Sequence, residues 1–238
     1  MTSGLILWGV GTGRTIRAHW ALRELELEYV CKPILARSGE TKVPEYTSLN
    51  PRQKIPLLQD GSFTIGESAA ITAYLARKYR SGFLAPLPED EVQYAKWLEW
   101  CFFIVSELDA TSLYVMRRHS TGRGLAHIYG EAPLVVARAR EYFNAQLKFA
   151  QVVLSDERKY LLGTQFTTAD ILLTTCLVWA IEYGLGLPEI CLQYLERTTG
   201  RPAYRAAREA NCQPPLGFGF RPEEDPSNDQ ARSLHNTR

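Results

Sequence analysis

The sequence has almost no excess charge of either sign and no long apolar run. Its 27 basic and 26 acidic residues leave a formal charge of +1, so charge alone would not recruit nucleic acid or an anionic membrane. The opening MTSGLILWGVGTGR has no basic leader, and its apolar run from Leu5 to Trp8 is too short for a signal peptide or a membrane span. We expect a cytoplasmic protein whose partner is a small molecule or another protein.

Cysteine and histidine lack the spacing of metal or redox centres. The five cysteines contain no CxxC pair and the four histidines no HExxH motif, so no metal site is expected. An odd number of dispersed cysteines is typical of buried thiols in a reducing compartment. The glycine-rich segment GVGTGR is not a dinucleotide fingerprint, because Arg14 stands where glycine or alanine is required.

The 238 residues suffice for two domains, and a hydrophobic content of 45% can bury a core in each. Residues 1–80 alternate strand and helix patterns: strands at 4–8 and 29–35, a hairpin at Asp60-Gly61, and helices at 14–25 and 68–79. This order predicts a compact α/β unit with a mixed sheet. The polar stretch SGETKVPEYTSLN within it is expected to be mobile.

Beyond a linker at 81–89 that contains proline and glycine, the patterns are helical. We expect an all-helical domain at 90–215, with helices near 90–119, 133–154, 168–183, 188–198 and 202–209. Thr167 and Asp170 have the T-x-x-D spacing of a capping box, which is a structural motif. The tail 216–238 is rich in proline and charge and is predicted to be disordered.

Three segments, in the right order and at the right distances, resemble the cytosolic glutathione transferases. They are LILWGVGTGRTIRAHWALRELELEYV, then NPRQKIPLL followed by GESAAITAYL, and finally GTQFTTADILL. The chain is similar to bacterial-like members of the serine/threonine type. The resemblance implies a thioredoxin-like N-terminal domain with a mixed sheet, a helical-bundle C-terminal domain, glutathione as co-substrate, and a homodimer.

The segment KIPLL is implied to hold the middle of the tripeptide. Ile55-Pro56 would be a cis pair, and the Ile55 backbone would bind the cysteinyl part of glutathione as if it were an added strand. Gln53 and Lys54 would lie beside the peptide, with Lys54 near its glycyl carboxylate. An ordinary proline of an edge strand is the structural alternative.

The segment GESAA is implied to hold the γ-glutamyl end. Glu67 and Ser68 stand at the start of a helix and would bind its ammonium and carboxylate groups, because a helix N-terminus is an anion site. Capping of the helix by the same two residues is the structural alternative.

The loop after the first strand must supply the group that keeps the glutathione thiol ionised. Members of the family use tyrosine, serine or cysteine there, and Gly9 to Arg14 contains none of these. Aligning HWALREL puts Thr12 at the serine position, so Thr12 is the predicted catalytic hydroxyl. A helix cap is the alternative role for Thr12. Arg14 and Arg17 would be auxiliary cations, although Arg17 could equally form an ion pair at a subunit interface.

The resemblance thus implies a transferase of detoxification type, whose thiolate attacks a hydrophobic electrophile. Val10 and the helical-domain residues Tyr114, Met116 and Arg117 would line the electrophile pocket. Two alternatives stay open: a glutathione-fold binding protein with little turnover, and a glutathione-dependent peroxidase or ether-cleaving enzyme. The lack of cysteine in the loop disfavours disulfide reductase or lyase chemistry.

Overall fold

The structure is a computed structural model that describes residues 4–79 and 82–212. Arg80 and Ser81, at the predicted boundary between the domains, lie outside the described residues, as does the tail predicted to be disordered. None of the described helices is both long and apolar enough to cross a bilayer.

A four-stranded mixed sheet, in the order β2-β1-β3-β4, forms the N-terminal domain. β1 (Leu5–Val10) pairs parallel with β2 (Val30–Leu35) and antiparallel with β3 (Leu57–Asp60), which joins β4 (Phe63–Gly66) through the predicted hairpin. Parallel neighbours need a crossover connection, and α1 (Thr15–Glu24) provides it. α3 (Ser68–Lys78) follows β4, so the predicted thioredoxin-like fold is confirmed.

Alternation along β1 divides its side chains between two cores. Leu5 and Leu7 belong to the main core with α1 and α3, whereas Trp8 packs with Tyr46 and Leu57 in a smaller core. Tyr46 lies on α2 (Pro44–Leu49), which follows a 3-10 turn at Glu40–Lys42. The stretch expected to be mobile therefore carries a helix, which one buried tyrosine anchors against the sheet.

The C-terminal domain is helical, as predicted. Its first long helix is continuous from Glu91 to His119 and consists of α4 (Glu91–Phe103), a π-helical segment (Ile104–Leu113, the π segment) and α5 (Tyr114–His119). The helices that follow are α6 (Ala126–Tyr129), α7 (Pro133–Leu154), α8 (Thr168–Glu182), α9 (Glu189–Thr199) and α10 (Pro202–Asn211). The capping box at the start of α8 is present, since both the Thr167 and Asp170 side chains bond to backbone amides.

Helix α1 is shared between the two domains. Trp20 is fully buried and its ring centroid lies 5.6 Å from that of Phe166 and 4.8 Å from that of Tyr204. The Glu24 carboxylate accepts bonds of 2.5 and 2.6 Å from Arg201. The helical domain therefore fixes the orientation of the helix that follows the predicted catalytic loop.

The five cysteines are free. Three of them, Cys101, Cys176 and Cys191, are buried, and burial raises the pKa of the first two thiols to about 12. Cys31 is half-buried and Cys212 is exposed, so the expectation of buried thiols is wrong for these two.

Candidate functional site

The loop between β1 and α1 lies directly against the predicted peptide-binding turn. Gly9 and Gly11 have φ angles of 108° and 81°, which favour glycine. A Cβ atom at position 9 would lie 2.6 Å from the Cβ of Ile55. Only the absence of a side chain at Gly9 therefore permits the two segments to approach this closely.

Thr12 and Thr15 are joined by reciprocal hydrogen bonds at the start of α1. The Thr15 amide donates to Thr12 Oγ1 at 3.0 Å, and the Thr12 amide donates to Thr15 Oγ1 at 2.9 Å. The Ile16 amide donates to the Thr12 carbonyl at 3.2 Å. Thr12 thus satisfies backbone donors of the first turn, as a capping residue does.

Capping by Thr12 does not exclude a catalytic role. The bond from the Thr15 amide occupies a lone pair of Thr12 Oγ1 and leaves the hydroxyl hydrogen of Thr12 in place, since a hydroxyl has one donor and two acceptor sites. Thr12 is half-buried. The two roles that the sequence left as alternatives are therefore compatible in one side chain.

The Ile55–Pro56 peptide bond is cis, as the resemblance implied. The turn before it is held by α2 and the residue after that helix, because the Lys54 carbonyl accepts from the Tyr46 hydroxyl at 2.5 Å and from Asn50 Nδ2 at 2.8 Å. The Ile55 amide and carbonyl make no hydrogen bond to another described residue. They are therefore open to a strand-like ligand.

Gln53 and Glu67 both hold a left-handed backbone, with φ angles of 54° and 63°. Such conformations cost a non-glycine residue about 1–3 kcal/mol and cluster at ligand sites. Gln53 is half-buried and donates to Thr47 Oγ1 at 3.3 Å. The exposed Glu67 carboxylate lies 2.6 Å from Arg52 Nη1. The Lys54 side chain is also exposed.

Ser68, the first residue of α3, belongs to a buried polar network. Its hydroxyl accepts from Arg17 Nη1 at 3.3 Å, and the same guanidinium lies 2.8 Å from Asp109 Oδ2 and 2.8 Å from Thr175 Oγ1. Arg14 Nη2 lies 2.6 Å from the other Asp109 oxygen. Burial opposes ionisation of Asp109, but Arg17 and Arg14 outweigh it and hold the pKa of this carboxyl below its ordinary value.

The position of Arg17 corrects one expectation. Its side chain is only 1% exposed within the single chain, so Arg17 is buried and does not reach a subunit interface. Its ion pair joins α1 to the π segment, that is, one domain to the other. Arg14 stays partly exposed beside Thr12 and remains a candidate auxiliary cation.

Two of the four residues predicted to line the electrophile pocket are buried. Val10 is 1% exposed and Met116 is 0% exposed, so neither side chain offers surface to a ligand. The reason is that Val10 lies on β1, one of the two inner strands of the sheet, and Met116 lies on the core side of α5. Both assignments are corrected.

The other two residues lie beside the predicted catalytic loop. Tyr114 and Arg117 are half-buried. The Arg14 guanidinium lies 4.4 Å from the Tyr114 ring centroid, and the Arg117 guanidinium lies 5.9 Å from that of Trp179. A Cβ atom at Gly13 would lie 3.8 Å from the Trp179 ring. Aromatic rings and guanidinium groups therefore form the helical-domain side of the loop.

A separate cleft of about 510 Å³ opens on the helical domain. Trp100 and Phe149, whose rings stack at 4.7 Å, line it together with Lys96 and Arg158. It contains none of the predicted site residues. Within residues 4–79 and 82–212, no group of three or more histidine, cysteine, aspartate or glutamate side chains could hold a metal ion.

Sequence reasoning missed four residues that shape the site. Thr15 had a local signal, because Thr12 and Thr15 have the spacing of a capping box. Tyr46 lay in a stretch without a helical pattern. Asp109 and Asn211, which touch the loop and α1 from the helical domain, are 94 and 196 residues away from Thr15 and carry no local signal.

The sheet, the cis-proline turn and the attached helical domain define a two-domain protein of the thioredoxin fold. The glutathione S-transferase N-terminal domain matches residues 3–77, and the glutathione S-transferase C-terminal domain matches residues 104–202. The chain belongs to the glutathione S-transferase family.

Named relatives agree with this assignment. Glutathione S-transferase 1 of Schizosaccharomyces pombe is 33% identical over 63% of this chain and 64% of its own length. Glutathione S-transferase 2 of the same organism is 31% identical over 70% of this chain and 68% of its own length. The chain thus spans about two thirds of these relatives.

Solved structures agree on the fold. A glutathione transferase from Phanerochaete chrysosporium, in complex with oxidized glutathione, superposes with a TM-score of 0.74 at 24% identity. The superposition covers 88% of this chain and 96% of that one.

Proposed function

We propose that this protein is a glutathione transferase in which the Thr12 hydroxyl donates a hydrogen bond to the glutathione sulfur. The observation that carries the proposal is the bond from the Thr15 amide to Thr12 Oγ1, which holds this oxygen at the start of α1 without using its hydrogen. Thr12 can donate that hydrogen to Thr15 Oγ1, 3.0 Å away, or to a bound sulfur. A thiol with an ordinary pKa of about 8.5 is mostly protonated at neutral pH. A donated hydrogen bond and the positive end of α1 both favour the thiolate.

Two turns would hold the peptide. The Ile55 backbone, ahead of Pro56, would pair with the cysteinyl residue, and Ser68 with Glu67 would bind the γ-glutamyl group at the start of α3. Gln53 and Lys54 would border the glycyl end. The left-handed backbone at both turns and the open Ile55 backbone support this assignment.

The thiolate would attack an electrophilic carbon, forming a carbon–sulfur bond as a leaving group departs or an activated double bond accepts the electron pair. Tyr114 and Arg117 remain our candidates for the electrophile site, now with Trp179 added. An aromatic, hydrophobic electrophile fits this surface, because aromatic rings stack and arginine adds cation–π attraction.

The decisive experiment titrates the ultraviolet absorbance of the thiolate in the glutathione complex. Wild type should show a thiol pKa below that of free glutathione, Thr12→Ala should return it towards the free value, and Thr12→Ser should keep it low. Binding of S-methylglutathione, which has no thiol, checks that the peptide site is intact in each variant. An equally low thiol pKa in Thr12→Ala would refute the role of Thr12.

Turnover with aryl halides, hydroperoxides and aryl ethers separates the three possible activities. Conjugation of aryl halides that depends on Thr12 is the result we expect. Tight binding of S-methylglutathione without turnover of any of the three substrates would favour a binding protein instead.

We also propose a cytoplasmic homodimer that serves in detoxification. Large apolar side chains exposed on α4 and α7 support self-association, among them Val92 at 71%, Phe102 at 68% and Val152 at 69% exposure. Light scattering should give twice the mass of the 26.9 kDa chain. A mass equal to that of one chain at micromolar concentration would contradict a stable dimer.

A further inference from the structure

The last residue of α10 makes three hydrogen bonds, two to the catalytic loop and one to the first residue of α1. The Gly11 amide donates to the Asn211 carbonyl at 2.8 Å, and Asn211 Nδ2 donates to the Thr12 carbonyl at 3.3 Å. The Thr15 hydroxyl donates to Asn211 Oδ1 at 2.6 Å. Asn211 is 7% exposed. One buried residue of the helical domain thus contacts the loop at Gly11 and Thr12 and the start of α1 at Thr15.

The orientation of the Asn211 amide follows from its partners. A carbonyl oxygen can only accept, so the atom that faces the Thr12 carbonyl must be the donor Nδ2. Oδ1 therefore faces the Thr15 hydroxyl, which donates to it across 2.6 Å. The two ends of the amide thus bond to different parts of the first turn.

The Thr15 hydroxyl has one hydrogen and three acceptors within reach. Besides Asn211 Oδ1 at 2.6 Å, these are the Thr12 carbonyl at 2.9 Å and Thr12 Oγ1 at 3.0 Å. Asn211 is the nearest, so it takes the hydrogen and leaves Thr15 Oγ1 as the acceptor for the Thr12 amide. Without Asn211, the hydrogen would turn towards Thr12 and change the bonding around the catalytic side chain.

We propose that Asn211 is a positioning residue for catalysis, which acts through Thr15 and holds Thr12 in the one arrangement that serves the thiolate. This inference rests on the proposed function of Thr12. It assigns to the end of the helical domain a part in activating a thiol that is bound mainly by the other domain.

The test compares the thiol pKa of bound glutathione among matched variants. Asn211→Ala should raise this pKa by about half to one unit, the equivalent of one ordinary hydrogen bond. Thr15→Val should raise it similarly, whereas Thr15→Ser, which keeps the hydroxyl, should not. Cys212→Ala changes the exposed neighbour of Asn211 and should leave the pKa unchanged.

A double-mutant cycle with Thr12→Ala tests whether Asn211 affects the thiol pKa by way of the Thr12 hydroxyl. In the Thr12→Ala background, Asn211→Ala should have no further effect on the thiol pKa. An effect that persists there, or an unchanged pKa in both Asn211→Ala and Thr15→Val, would overturn the inference. If Thr12→Ala itself leaves the pKa low, the proposed function fails first. Should Asn211→Ala not fold, the Thr15→Val and Thr15→Ser pair decides the question.

Discussion

Replacing Asp109 by asparagine should destabilise the protein strongly, because it leaves Arg17 buried without a counter-charge. Both side chains of this pair are 1% exposed, and their nearest atoms are 2.8 Å apart. Removing one partner of a buried pair costs about 3–5 kcal/mol. Loss of the ion pair between Arg14 and Asp109 adds less to this destabilisation, since the Arg14 side chain is 36% exposed and its charge is screened by solvent.

For a chain of this length, 1 kcal/mol corresponds to about 2–4 °C in melting temperature, so Asp109→Asn should lower it by roughly 6–20 °C. The measurement is thermal and urea unfolding at pH 7. The pKa of Asp109 is lower in the folded state than in the unfolded state. Asp109 therefore contributes its full stabilisation at any pH above its unfolded-state pKa, and this stabilisation is lost as the pH falls through its folded-state pKa. Neutral pH therefore shows the full effect.

A surface ion pair provides the matched control. Asp156 pairs with Arg158 in solvent, and Asp156→Asn should cost no more than about 1 kcal/mol. Replacing both buried partners, with Arg17→Met and Asp109→Leu, should recover much of the loss, since an apolar pair needs no counter-charge. If Asp109→Asn and Asp156→Asn proved equally mild, the reasoning about the buried network would be refuted.

Two further predictions concern other buried groups. Burial, the largest cause, lowers the pKa of His19 to about 4, so the free energy of unfolding should fall as the pH drops below about 6.5 and be lower by about 3 kcal/mol near pH 4. In His19→Gln the urea midpoint should depend less on pH over that range. Identical pH profiles for the variant and wild type would contradict this prediction. Tyr46→Phe removes the hydroxyl that binds the Lys54 carbonyl, so calorimetry should show a Kd for S-methylglutathione about 3–10-fold higher, whereas the exposed Tyr142→Phe should not change it.

The order of elements could be predicted because each has a local cause. Asp60-Gly61 marks the hairpin, and Thr167 with Asp170 marks the start of α8. The helix bounds agree with the predicted ones to within two residues for the long helices. α2 was missed because a single buried tyrosine, rather than a periodic apolar pattern, holds it against the sheet.

The site was predictable only where a segment carries its own chemistry. KIPLL and GESAA contain the residues that would touch the ligand, and Thr12 stands in the loop itself. Asp109 and Asn211 reach the same region only through packing of the helical domain, so no spacing in the sequence indicates them. Val10 and Met116 were misassigned because fold analogy gives the element but not which way a side chain points.

The sharing of α1 bears on how proteins of this family can exchange parts during evolution. A recombination boundary near residue 80 falls between the two domains in sequence, yet it separates Trp20 from Phe166 and Arg17 from Asp109. A chimera that joins one parent's sheet domain to another parent's helices would inherit half of each pair. Productive exchange between parents should therefore require that α1, the π segment and the start of α8 come from the same ancestor.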